Sequence, residues 1–98
     1  GKKLEINMKD NSGCTPLFYA VAQSNAEIVK FLVDNKADVN AKNQNGYSIL
    51  DVAKNQYNAQ KMWLKTASHD NILLNKYLKA KEVYEFLCDS GAVLNKIQ

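Results

Sequence analysis

The sequence predicts an all-α fold: a solenoid of stacked helix-turn-helix units joined by short hairpin loops, with an elongated helical hairpin in the last unit. Three observations predict it. DNSGCTPLFYAVA (Asp10 to Ala22) recurs as NQNGYSILDVAKN, so that Gly13, Thr15, Leu17 and Ala20 are answered 33 residues later by Gly46, Ser48, Leu50 and Ala53. EIVKFLVDNKADVN (Glu27 to Asn40) recurs as EVYEFLCDSGAVLN (Glu82 to Asn95), but here the step is 55. Apolar residues in these segments return at three and four, the spacing of one helix face. A fixed period of this size marks units that cannot cover their own apolar side and must stack to bury it.

Taken in order, LEIN, ending at Asn7, lies one step of 33 before ADVN, ending at Asn40. Residues 1–9 therefore read as the tail of a preceding unit, 10–42 as one unit and 43–98 as an expanded terminal unit. Asp10 to Gly13 and Asn43 to Gly46 have the Asx-x-x-Gly composition of tight turn tips. Thr15-Pro16 predicts a helix start, with the hydroxyl accepting from free backbone N–H groups and the ring pre-set for the first turn. Leu17, Ala20 and Val21 follow at helical spacing, and small Ala20 and Ala22 allow close approach of a neighbour. Ser24-Asn-Ala-Glu27 reads as a capping box for a second helix, with Ile28, Val29, Phe31 and Leu32 facing the core. That helix needs a residue of positive φ to end it. Gly91 supplies one in the second unit, whereas Lys36 holds the matching place in the first at a cost of about 1 kcal/mol relative to Gly.

The difference between the two steps places 22 extra residues between Ala53 and Glu82, at about 55–76. Divided evenly they add roughly three turns to each helix of the second unit, making an arm. Tyr57, Met62, Trp63, Leu64 and Ala67 form the outgoing stripe, and Ile72, Leu73, Leu74, Tyr77 and Leu78 the returning one. Thr66 to Asn71 is the turn, with Ser68 or Asp70 available as a cap. The alternative is a break near Asn55 to Asn58 with a short helix folded back over the stack. NQYN lacks Gly and Pro, so the continuous arm is expected. Two helices cannot bury all of Met62, Trp63, Leu74 and Tyr77. Trp63 has two readings, packing between the arm helices or a partner-facing anchor.

GCTPLFYAVAQSNAEIVKFLVDNKADVNAK resembles an ankyrin repeat, whose signature is T-P-L-H-x-A. The resemblance is specific over Asp10 to Lys42 and looser over Asn43 to Asn95. It departs from the pattern at Phe18 and Asp51, where the family favours His, at Ser24 and Lys36, where it favours Gly, and at Ile49, which replaces Pro. Asp51 in SILDVA is similar to the ending unit of many such arrays. The resemblance implies a protein-contact surface made of turn tips and the ends of the first helices. Carried over position by position, it nominates Asn11, Ser12, Cys14, Tyr19 and Gln23 in the first unit. In the second it nominates Gln44, Asn45, Tyr47 and Gln56, and Trp63 on the arm adds a second surface.

Composition narrows the functional classes. Ninety-eight residues suit one domain of modest core, and no apolar run approaches a membrane span or a signal peptide. Gly1 in place of Met is read as a processed or excised chain. Cys14 and Cys88 are too few for a disulfide framework and match no zinc or redox spacing, which points to reduced thiols in a cytoplasmic or otherwise reducing compartment. Cys14, just past a turn tip, is expected to be the more exposed of the two thiols, and Cys88, at the place of Val33, to be a small core residue. Formal charge is +3, yet all thirteen basic residues are Lys, which disfavours Arg-dependent nucleic-acid recognition. No nucleotide, metal or nucleophile motif is present, and no cofactor is implied. His69-Asp70 therefore reads as a solvated turn.

The expected function is a non-catalytic module binding another protein, with self-association through the solenoid ends a further expectation. The rival readings are a lysine flank (Lys61, Lys65, Lys76, Lys79 and Lys81) on an anionic polymer or membrane surface, and a regulatory fragment of a larger enzyme.

Overall fold

The computed structural model describes residues 6–66 and 70–96. Within them the chain forms α1 (Pro16–Ala22), α2 (Ala26–Asp34), α3 (Ile49–Thr66) and α4 (Asn71–Asp89). No strand occurs among the described residues beyond an isolated antiparallel bridge between Lys42 and Ser48. The helices form two pairs in two layers, α1 against α3 and α2 against α4. Leu17, Val21, Val29, Ile49, Val83 and Leu87 are fully buried where the pairs meet, so each pair supplies the cover its neighbour lacks.

The helix ends follow one backbone solution three times. After α2, Lys36 N–H donates to the Val33 carbonyl and Ala37 N–H to the Leu32 carbonyl, with Lys36 at φ +75°. After α4, Gly91 and Ala92 donate in the same way to Cys88 and Leu87, and after α1 Ser24 and Asn25 donate to Val21 and Ala20. These are Schellman closures, each needing a left-handed residue. Gly91 meets that need freely, whereas Ser24 (φ +53°) and Lys36 carry side chains there. The capping box assigned to Ser24 is accordingly corrected. Ser24 ends α1, and Asn25 caps α2, its side chain accepting from Ile28 N–H at 3.3 Å. The cap assigned to Thr15 is corrected too: the α1 start is held by Pro16, and the buried Thr15 Oγ1 makes no hydrogen bond.

The register of the two units explains a third correction. Ile28 and Phe31 are 44% and 53% exposed, not core. Their counterparts 55 residues on are Val83, 1% exposed, and half-buried Phe86, both covered by the first unit. The same side of the first unit faces solvent. Cys88 is also exposed and Cys14 only half-buried, the reverse of the expected order: Val83 and Leu87 put the buried stripe of α4 one helical step away from Cys88.

The arm is continuous. α3 runs unbroken through Asn55 to Asn58 and eleven residues past Asn55, the counterpart of Ala22 where α1 stops, so it projects about 16 Å further. α4 begins ten residues before Lys81, the counterpart of Ala26. Asp70 caps it by accepting from Ile72 and Leu73 N–H at 2.9 and 3.3 Å. The two arm helices are joined by Tyr57, whose ring stacks between Tyr77 and Tyr84 at 5.6 Å from each, and Ala80, three residues after Tyr77 and four before Tyr84 on the same helix face, is 1% exposed. Aromatic stacking of this kind adds to simple area burial. The arm makes the molecule 48 Å long against 29 and 25 Å in the other directions. Ala67, Ser68 and His69 lie outside the described residues, and with them the reading of His69.

Candidate functional site: hairpin tips, helix ends and arm

Each hairpin tip is built from one Asx residue. Asp10 Oδ1 accepts from Ser12 and Cys14 N–H, both at 2.9 Å, while Gly13 N–H reaches the Asp10 carbonyl. Asn43 repeats this with Asn45 and Tyr47 at 3.0 Å and with Gly46. The tips are tied to each other by Gln44 N–H donating to the Ser12 carbonyl at 2.9 Å. There a Cβ on Gly13 would lie 2.6 Å from Gln44 N, so only glycine permits the approach. Because backbone and Asx groups close these loops, Asn11, Ser12, Gln44 and Asn45 are exposed and leave their side chains to solvent. Cys14 and Tyr47 are half-buried at the tip bases, with the Lys96 ammonium 5.7 Å over the Tyr47 ring.

Tyr19, half exposed, donates its hydroxyl to Asp10. This bond, more than the backbone bonds from Cys14 and Ser12, holds the Asp10 carboxyl below its ordinary 3.8. The same bond pushes the Tyr19 phenol up to about 12. Tyr19 also borders an apolar hollow of about 620 Å³ with Met8, Cys14, Ala20, Ile28 and Leu32. Gln23 and Gln56 lie at equivalent points one period apart, where α1 ends and the arm begins. Trp63 lies on the arm and is 61% exposed, so the reading that packs it between the arm helices is corrected. Met62 and Leu74 are exposed as well, whereas Tyr77 is half-buried against Tyr57. The nominated residues thus fall into three places: the tips, the far ends of the first helices, and the arm.

Two sets of residues that sequence reasoning did not assign a role hold the stacked units in register. Asn7 Oδ1 accepts from Asp38 N–H at 2.7 Å and its amide donates to the Lys36 carbonyl. Asn40 does the same with Val93 and Gly91, the equivalent atoms one unit on. The recurrence of Asn at 7 and 40 was the available signal. Asp51, fully buried, accepts from the N–H groups of Ser48 (2.8 Å), Asn95 (3.0 Å) and Lys96 (2.8 Å). It thereby holds the segment after α4 onto the start of α3. No cluster of metal-ligating side chains occurs among the described residues, and none of their helices is long and apolar enough to cross a membrane.

Stacked helix pairs with closed hairpin tips on one edge define a helical repeat solenoid, a scaffold that presents side chains along a surface rather than around a deep pocket. The family model for ankyrin repeats, in three copies, matches residues 2–73. The chain belongs to the ankyrin repeat family. It is 49% identical over 41 residues to a protein of Aspergillus oryzae named palmitoyltransferase akr1, and 46% identical over 41 residues to its namesake in Emericella nidulans. Each of these matches covers 42% of this chain and 6% of the relative. It is 43% identical over 49 residues, half of this chain and 11% of the relative, to the ankyrin repeat domain-containing protein OPG015 of Monkeypox virus. The chain thus spans a small fraction of the length of these relatives. Ankyrin repeats generally mediate protein–protein interaction, and such a domain is typically non-catalytic.

Proposed function

We propose that this chain is a non-catalytic protein-binding module whose contact surface runs over the hairpin tips and the adjacent helix ends, with the arm contributing beside them. The observation that carries this reading is the closure of the tips. Asp10 and Asn43 satisfy the loop backbones, so Asn11, Ser12, Gln44 and Asn45 are not needed to fold them. Tyr19, Gln23, Gln56 and Tyr47 flank the strip, with half-buried Cys14 at its base. Such a strip of neutral polar and aromatic groups binds by shape and hydrogen bonding more than by charge steering. Cys14 and Cys88 form no disulfide with each other, which fits a reducing compartment. The test is affinity capture with Ser12→Arg/Asn45→Arg. Unchanged circular dichroism with loss of the bound protein supports the reading, and retention of the same protein by the variant overturns it.

A second reading is favoured by one observation. Met8, Tyr19, Ile28 and Phe31 lie exposed on the side of the first unit whose counterpart in the second is covered, and this apolar side supports self-association. A concentration-dependent mass in sedimentation, abolished by Phe31→Asp, is the expected result. A monomer at every concentration removes it.

A further inference from the structure

We propose that the corner between the arm and the α1–α2 turn binds an acidic peptide segment of a partner protein, with Lys76 and Lys79 facing its carboxylates and Trp63 and Ile72 taking an apolar side chain. This rests on the reading of the chain as a protein-binding module but uses a surface distinct from the tips.

The corner exists because α3 and α4 continue where α1 and α2 stop. Gln56, Gln60, Lys76 and Lys79 line a hollow there together with Gln23 and Ser24 of the turn. In the lower part of α3 the side next to α1 is buried, as at Ile49 and Ala53. Beyond Ala22 the same side continues as Gln56, Gln60 and Trp63, spaced by four and three and therefore on one face. On α4, Ile72 is four residues before Lys76 and seven before Lys79, again on one face. Trp63 and Ile72, 61% and 68% exposed, thus extend a helix-packing face past the end of the helices that cover it.

Charge selects the occupant. Residues 54–81 hold six Lys and one acid, Asp70, a net +5, whereas the remainder, with seven Lys and nine acids, is −2. Lys76 and Lys79 have no ion-pair partner among the described residues, where the only such pair is Lys30 with Glu82 at 3.4 Å. Lys79 also borders the adjoining hollow beside the turn, which Glu27 and Glu82 line, so an acidic segment is directed away from those carboxylates and outward along the arm, toward Lys76. The corner is re-entrant, so a flat anionic bilayer would meet the outer residues of the arm, such as Leu74, before Lys79. An extended or helical peptide enters it.

Trp63 is the chain's only tryptophan, so its emission reports on the corner directly. The probe is a synthetic peptide of alternating Glu and Leu, with a Lys-Leu peptide and phosphatidylserine vesicles as controls. The expected result is a saturable blue shift with the acidic peptide only, weakening as salt rises. Lys76→Glu/Lys79→Glu lowers the affinity by about tenfold or more, and Lys76→Gln/Lys79→Gln lowers it less. No shift with the acidic peptide, undiminished binding by both lysine variants, or a shift with vesicles alone overturns the assignment. Ser12→Arg/Asn45→Arg leaves the peptide shift intact. If that variant loses its captured protein while the peptide never moves Trp63, the corner fails and the tip surface stands. The opposite pattern removes the tips and keeps the corner.

Discussion

The first turns of α1 and α3 hold the same place in their units and are secured in opposite ways. In the first unit Thr15 is buried with its hydroxyl unpartnered, and Phe18, 3% exposed, fills the position after Leu17. In the second, Ser48 Oγ donates to the Val93 carbonyl at 2.9 Å and accepts from Asp51 N–H at 3.1 Å. Asp51 occupies the Phe18 position and collects three backbone N–H groups. One backbone shape is therefore held by packing in one copy and by a buried carboxylate in the next. A repeat fixes where a residue sits, and its neighbours decide which chemistry holds it.

The largest test of that contrast is Asp51→Ala. It leaves three donors unsatisfied at the start of α3 and is expected to cost about 3 kcal/mol in urea unfolding. A loss below about 0.5 kcal/mol would place it among neutral surface changes and end the distinction. The hydroxyl pair comes next: Ser48→Ala should cost about 1.5 kcal/mol, whereas Thr15→Val, removing an unpartnered group, should be neutral or stabilising. Equal losses at both sites would mean that the two helix starts are held alike.

The helix ends offer a smaller test with opposite signs. Lys36→Gly relieves a side chain at φ +75° and should raise the melting temperature, by about 1 kcal/mol of stability. Gly91→Ala meets no atom within 4 Å but sits at φ +91°, and should cost about 1 kcal/mol. The smallest effect belongs to Tyr19 and Asp10. Tyr19 is raised, so its bond contributes fully below its ordinary pKa of 10 and is lost as pH climbs through about 12. Asp10 is lowered from 3.8, so its contribution is present above that value and fades as acid protonates it. In a phenolate absorbance titration, Tyr19→Phe should delete one late-titrating group, and Asp10→Asn should return Tyr19 toward 10.

Much of this was legible in the sequence, for reasons the structure makes plain. The period of 33 located the tips, because Asp10 and Asn43 must carry an acceptor and Gly13 and Gly46 positive φ. The step of 55 revealed the arm, because lengthening two paired helices by similar amounts leaves the flanking register intact. Helix periodicity did not say which stripes would be covered. Ile28 and Val83 look alike in sequence, and only the presence of a neighbour separates them. Caps were misplaced by one residue at Ser24 because Asn25 can serve equally, and the choice depends on the left-handed turn closing α1. The tip surface was inferred from resemblance. Lys76 and Lys79 were read as part of a lysine flank, but the corner they line was not foreseen, since it arises from where one helix pair stops and the next continues.

The paired bonds of Asn7 and Asn40 bear on how the fold comes apart. Asn40 grips the turn after α4 from the loop after α2, so melting either helix pair strips a partner from the other and both should be lost in one cooperative transition. Past Asn55 no such cross-link occurs among the described residues, whose two arm helices meet at the tyrosine stack. Amide hydrogens near Trp63 should therefore exchange well before those near Val29, fraying the projection while the body stays closed.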